Sequence, residues 1–408
     1  MRTLGLLTIL LSLLLLVPAG CSRSVNIDEK APLVRVRILE NQDRVTLSSV
    51  GAPSFKSASE RDIRRLDFGR GTVTVSLSPA GWQVGNVSIG GGELTIQPPA
   101  PGAVAISGQA YRGRYRFVPV AADRFDVIND VDLDSYLMSV VSKELLKDWL
   151  DETYKAQAIV ARTYALYETR VAATSGSNRT FDLNDDQRSQ VYGGISAETD
   201  KSREAVLATS GVVVAYGPKG QEKIFKAYFS SCCGGVGQSA YDAFGDPDIV
   251  PLRAKNVGSL CNASPRFNWP PVILTKDELT RRIRAWGARR NRPEKDLGNL
   301  VRVDIAPNNL TPRPVRFILT DSKGLQYSLT GEELRWACNS DANGGPTLNS
   351  SFVTPVTDRD TIQFVEGHGW GHGVGMCQWC AQSLAQRGQR HEDIVRFSFP
   401  GAVLVRAY

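Results

Sequence analysis

The chain is poor in histidine, with three in 408 residues, and it holds seven cysteines, so metal and nucleophile chemistry is confined to a short list of positions. It has no block of lysine or arginine: 48 basic residues against 42 acidic ones are spread along the chain, which excludes a nucleic-acid-binding arm. There is one long apolar run, at the N-terminus, so a multi-span membrane protein is excluded, and a hydrophobic content of 42% excludes a disordered chain. No internal repeat is present. Against these absences, 37 glycines and 21 prolines indicate many turns, and the expected fold class is α+β, rich in strands with a few helices. The length suits two domains or one elaborated domain.

The apolar run, Leu4 to Val17 after Arg2, has the length of a signal peptide. Pro18-Ala19-Gly20-Cys21 follows, small residues before a cysteine that resemble the lipobox of bacterial lipoproteins. The expectation is a signal peptide over 1–21, lipidation at Cys21 and a polar tether over 22–31, giving an exported, membrane-anchored protein of the cell envelope. A plain secretory signal is the alternative.

Residues 32–128 alternate in the manner of strands, as in Leu33 to Leu39 and Thr72 to Leu77, with turns at Gly90-Gly91-Gly92 and around Pro98-Pro99. At residue 129 the texture changes and a second unit, 129–408, begins. Helices are expected over about 133–148, capped by Asp132 or Asp134, and over about 152–171. Strands are expected beyond 190, with further helices over 275–286 and 377–387, the last stopped by Gly388.

On the first helix Leu133, Leu137, Val140 and Val141 form an apolar stripe, and Glu144 falls on it. A carboxyl group on such a face is desolvated, which raises its pKa and suits a general acid; a head group reaching water from the stripe's edge is the alternative. On the second helix Ala158, Ala161 and Ala165 mark the inward face, which also carries Arg162. A buried guanidinium pairs with a carboxylate, here Asp132 or Asp134, or else meets a substrate.

Residues 367–376 place glycine at every odd position, with His368, Trp370, His372, Val374 and Met376 between them. An extended strand of that pattern has one bare face, open to another backbone or a flat ligand. Along such a strand the two imidazoles lie roughly 13 Å apart, too far to share one ion unless the segment bends sharply.

The runs Val131 to Glu144, Lys155 to Leu166 and Gly367 to Gln378 resemble the SpoIID/LytB family, more weakly through Ser231 to Gly235 and again at Phe399-Pro400-Gly401, covering about residues 110–405. The resemblance implies a peptidoglycan-active protein. It is either a lytic transglycosylase cutting peptide-stripped glycan strands to 1,6-anhydro-muramoyl ends, or a non-catalytic enhancer of an N-acetylmuramoyl-L-alanine amidase. The family's catalytic glutamate falls on Glu144. Arg162, His368, Trp370, His372 and Gln378 are the expected glycan contacts, and no cofactor is needed for the reaction. Cys377 and Cys380 depart from the family's usual Ser and Gly. With Cys261 and Cys233 (or its neighbour Cys232) they form either a structural zinc site or disulfides.

Overall fold

Alternation over Leu33–Leu39 puts Val34, Val36 and Ile38 on one face, and all three are buried. Their strand, Leu33–Gln42, pairs antiparallel with Arg124–Asp132, Val34 opposite Val131. The computed structural model describes residues 31–69, 71–100, 102–174, 179–307 and 311–408, so Cys21, the signal-like run and the tether up to residue 30 lie outside the described residues. In sheet order, seven strands run Leu183–Asn184, Leu33–Gln42, Arg124–Asp132, Arg114–Ala121, Leu94–Gln97, Ser54–Ser57 and Arg64–Arg65. A second sheet of six strands draws on Arg44–Ser49, Thr72–Ser78, Gly81–Val84, Val87–Ile89, Val104–Ile106 and Gln109–Ala110. The buried faces of both meet in one core, where Trp82 stands edge-on to Phe117 and Phe125 at 5.9 and 5.1 Å between ring centres.

No break in packing falls at residue 128. The strand Arg124–Asp132 runs directly into helix α1 (Leu133–Glu144), with Asp132 as its cap accepting from the Ser135 amide at 2.9 Å. Helix α2 (Asp151–Thr174) follows, and both helices bury their apolar faces in the core already begun by the strands. From residue 190 to the helix expected at 275 the sequence predicts strands. Instead α3 (Asp200–Ala208) comes first, started by a capping box between Thr199 and Ser202, and the strand Val212–Tyr216 follows it. After the short α4 (Ala240–Phe244), residues 269–364 build a second core around Leu279, Ile283, Trp286, Phe317 and Phe364, with α5 (Lys276–Arg289) and α6 (Gly331–Asn339) against it. The chain then returns to the first core through α7 (Gln378–Gln386), α8 (His391–Ser398) and the strand Val403–Arg406, which pairs with Val212–Tyr216. The fold is strand-rich α+β, as the composition indicated. Among the described residues no helix is long and apolar enough to cross a membrane.

Arg162 is 0% exposed, and its guanidinium joins four elements. It donates to Asp134 Oδ1 on α1 at 3.0 and 3.2 Å, to the Val206 carbonyl on α3 at 3.0 Å, to the Val212 carbonyl at 3.3 Å and to the Tyr408 hydroxyl at 2.9 Å. Tyr408 and Ser210 in turn donate to the Asp134 carboxylate at 2.7 and 2.6 Å. This corrects the expected glycan contact: of the two roles weighed for Arg162, the pairing with Asp134 is the one found, and no face of the side chain is left for a ligand.

Replacing Arg162 by Met is therefore expected to lower stability by about 3–5 kcal/mol, because Asp134 keeps its charge in a site without its cation. Urea denaturation measures this, and the double variant Arg162→Met, Asp134→Leu should recover part of the loss.

Candidate active site

Helix α1 ends at Glu144, since Leu145 turns to an extended conformation (φ −118°, ψ 155°). Its carboxyl group therefore stands at a helix end rather than along a helix wall. The segment 185–194 is laid over α1 by side-chain bonds. Tyr136 Oη donates to Gln190 Oε1 at 3.1 Å, Gln190 Nε2 reaches the Ala161 carbonyl at 3.3 Å, and the Gly193 amide donates to Ser139 Oγ at 2.9 Å. Tyr192 Oη, donating to Asn129 Oδ1 at 2.9 Å, ties the same segment to the sheet. Held in this way, the Val191 amide donates to Glu144 Oε1 at 3.2 Å.

From the opposite direction comes Gln378, the first residue of α7, buried and near enough to the Glu144 carboxylate to favour its ionised form. Its Nε2 also approaches Gln157 Oε1 on α2 at 3.4 Å. Helix α7 is docked on the start of α2 by Gln382 Oε1, which accepts from Thr153 Oγ1 at 2.8 Å and the Leu150 amide at 3.1 Å. Burial pushes the Glu144 pKa above its ordinary 4.5, while the Val191 amide and the Gln378 side chain pull the other way without cancelling it. The residue is half-buried, so the carboxyl is poorly hydrated yet not sealed in.

The glycine segment is not an extended strand, which corrects the sequence expectation. The strand Thr361–His368 stops at its entrance, and Gly369, Gly371, Gly373 and Gly375 all adopt positive φ, between 71° and 93°. Alternating left-handed residues fold the ribbon tightly, and only glycine reaches that region without strain. The bare positions admit protein rather than ligand. A β-carbon on Gly367 would collide with the Trp269 ring, on Gly369 with the Cys232 carbonyl, and on Gly375 with the Tyr228 carbonyl.

Sharp bending leaves His368 and His372 in separate surroundings. The ring of His372 packs against Tyr228 and Phe244, and its Nδ1 accepts from the Val374 amide at 3.0 Å. Nδ1 is thus engaged by the backbone, and His372 shares no neighbours with His368 that would let the two hold one metal. His368 lies beside Phe352 and Phe267, with its Nδ1 buried and unpaired among the described residues. Trp370 is the side chain of this ribbon that faces water, 51% exposed, with the Arg266 guanidinium 5.6 Å above its ring. Four cysteines, Cys233, Cys261, Cys377 and Cys380, are buried with their sulfurs within 4.8 Å of one another, and none is in a disulfide.

Of the residues singled out from the sequence, Glu144 and Gln378 lie near each other in the fold; Gln157, Gln190, Val191 and Tyr192, which surround them, carry no comparable sequence signal. Gln157 shares the inward face of α2 with Arg162, where its polarity is a weaker signal. A further carboxyl, Asp185, is pushed up to about 6, mainly by burial. It lies near enough to Tyr136 that its charge and that of Glu144 both raise the phenol's pKa. The Asn-Asp-Asp run at 184–186 offered a signal in sequence, without indicating burial.

A family model described as stage II sporulation protein (SpoIID) matches residues 121–216, a span that contains α1, α2 and the segment over Glu144. The chain is 28% identical over 307 residues to an uncharacterized protein of Brachyspira hyodysenteriae, covering 74% of this chain and 73% of that protein. It is 26% identical to stage II sporulation protein D of Bacillus subtilis, over 71% of this chain and 79% of the relative. It is 23% identical to a Bacillus subtilis protein named amidase enhancer, over 92% of this chain but 56% of that longer relative.

Two pH dependences follow from these environments. A carboxyl with a raised folded pKa binds its proton more tightly in the native state, so its ionisation destabilises the fold as pH rises above 4.5. Glu144→Gln should consequently be more stable than wild type near pH 8, with the difference vanishing below pH 4.5, as read by thermal unfolding across pH. His372, held neutral mainly by burial with its pKa lowered from 6.5 to about 4, acts in the opposite sense. Its contribution is complete above 6.5 and is lost as pH falls towards 4, and His372→Gln should flatten the stability profile over that interval.

Proposed function

We propose that this chain, similar to the SpoIID/LytB family over the region that holds Glu144, is a peptidoglycan lytic transglycosylase of the cell envelope, with Glu144 as its single acid and base. The observation that carries the proposal is the setting of that carboxyl group: desolvated, half-accessible, held by the Val191 amide and with the Gln378 side chain nearby. Desolvation favours the protonated form needed first, when Glu144 donates to the oxygen linking N-acetylmuramic acid to N-acetylglucosamine and an oxocarbenium-like state develops at C1. The Val191 hydrogen bond and the nearby Gln378 side chain then stabilise the carboxylate that remains. That carboxylate takes the proton of the muramoyl 6-hydroxyl as its oxygen closes on C1, forming the 1,6-anhydro ring. The proton returns to Glu144, water is not consumed, and one carboxyl completes the cycle.

Trp370, exposed at the ribbon's surface, offers a flat apolar face for a sugar ring, and Arg266 above it supplies a cation for the lactyl carboxylate of a peptide-stripped strand. Export and anchoring through a lipid on Cys21 would place this surface against the cell wall. A second reading is favoured by one comparison, the amidase-enhancer relative that aligns with 92% of this chain. On that reading the protein binds glycan strands and stimulates an N-acetylmuramoyl-L-alanine amidase without cutting them itself.

Mass spectrometry of amidase-treated sacculi separates the two. Wild type should release anhydro-ended fragments, and Glu144→Gln should bind the strands and release none. Anhydro ends produced by Glu144→Gln would falsify the assignment of Glu144, whereas stimulation of an amidase with no anhydro ends from wild type would establish the enhancer reading.

A further inference from the structure

Three stretches far apart in the sequence deliver thiols to one point. The turn after the strand Phe229–Ser230 carries Cys233, the turn over 257–264 carries Cys261, and the start of α7 carries Cys377 and Cys380 in a Cys-x-x-Cys arrangement. All four sulfurs lie within 4.8 Å of one another, and Cys233 Sγ and Cys261 Sγ are 3.6 Å apart. A disulfide needs about 2.05 Å between sulfurs and joins them in pairs. Four thiolates each about 2.3 Å from one tetrahedral zinc stand roughly 3.8 Å from one another, and the 3.6 Å pair and the 4.8 Å bound on all four sulfurs accommodate that arrangement.

The surroundings suit thiolates. Cys377 Sγ accepts from the amides of Cys233 and Cys380, both at 3.4 Å, the kind of outer-shell support that orients metal-bound sulfur. Arg313, fully buried, donates to the Cys233 carbonyl at 3.4 Å and places a positive charge beside a cluster that would be anionic even with a divalent ion bound. A cavity of about 240 Å³ reaches Cys233, Cys377 and Cys380 and provides an entry path. Gln238, buried with neither atom of its amide hydrogen-bonded among the described residues, lines the same cavity.

We propose that Cys233, Cys261, Cys377 and Cys380 bind one zinc ion as a closed, structural four-sulfur centre. Soft thiolates in a tetrahedral set select zinc over harder divalent cations, and four protein ligands leave no open position for chemistry. Binding displaces the thiol protons and changes no oxidation state. The ion fastens the start of α7 to the two turns. Because Gln378 sits between Cys377 and Cys380 in sequence and lies near Glu144, the ion also fixes a polar side chain that acts on that carboxyl group. The metal centre does not depend on the reaction proposed for Glu144, and its test is read without substrate.

The intact exported protein, purified without reductant, is assayed for metal by mass spectrometry and for disulfides by its unreduced intact mass. One zinc per chain with all thiols reduced is the expected result. A metal-free protein lighter by the hydrogens that disulfide formation removes overturns the proposal. Cys233→Ser and Cys377→Ser should lose the metal, while Cys232→Ser, changing the neighbour outside the tetrad, and Cys338→Ser, in the second core, should keep it. Retention by Cys233→Ser with loss by Cys232→Ser overturns the ligand assignment. Should the ligand variants fail to fold, cobalt exchanged into wild type gives the same decision: strong thiolate-to-cobalt absorption supports the centre, and its absence overturns it. Chelation of wild type should raise deuterium uptake in residues 377–386 and 257–264 and leave α5 unchanged.

Discussion

A guanidinium sealed in the interior sets the relative positions of everything near Glu144. Arg162 bridges α1, the end of α3, the strand Val212–Tyr216 and the C-terminal Tyr408, and Asp134 balances its charge while also accepting from two hydroxyls. Taking such a pair out of water is expensive, and apolar residues of the same volume often pack at least as stably. What the ionic arrangement adds is direction. Each nitrogen of the planar fork has two acceptors, so α1 has little freedom to slide or rotate against α2, and a shift of a residue would strand several buried polar groups together. The far end of α1 is where Glu144 stands.

At that end two opposed influences act on one carboxyl group. Burial favours its protonated form, and donors from Val191 and Gln378 favour the ionised one. Burial prevails, so the net effect is a carboxyl group that holds its proton more tightly than an exposed glutamate does. The helix terminus contributes as well: α1 stops at Glu144, so the side chain meets groups arriving from two other parts of the chain rather than its own helical neighbours.

Much of this was legible in the sequence, for identifiable reasons. The 3.6-residue period placed Glu144 on the apolar stripe of α1, and the small-residue face of α2 put Arg162 inward, with Asp134 among its two candidate partners. Local chemistry sufficed there, because the decisive groups lie on neighbouring elements. It did not suffice for α3 and α6, although Thr199 with Ser202 and Thr330 with Glu333 form capping boxes, since their apolar stripes are short. The glycine segment was conspicuous in composition and misread in conformation. Alternating glycines satisfy an extended strand and a chain of left-handed turns equally well, and the choice is made by Trp269 and the backbone of residues 228–234, which fill the space that side chains would occupy. The grip of Val191 on Glu144 was out of reach, because it depends on how a loop lies across a helix.

The folded ribbon also explains how a residue so late in the chain is delivered to α1 with accuracy. Leaving the second core, the chain crosses Cys232 through paired bonds between that residue and Trp370, then turns at each glycine until Met376 and Cys377 align parallel to Phe229 and Ser230. The Trp379 amide closes on the Ser231 carbonyl at 3.1 Å, and α7 begins. Gln378 is thus registered twice, by a strand pairing immediately before it and by a helix start immediately after it. An extended strand over the same ten residues would span roughly 33 Å. The folded ribbon shortens that path, and its glycines are what let the chain enter α7 beside the strand Phe229–Ser230 with the Gln378 amide facing the carboxyl of Glu144.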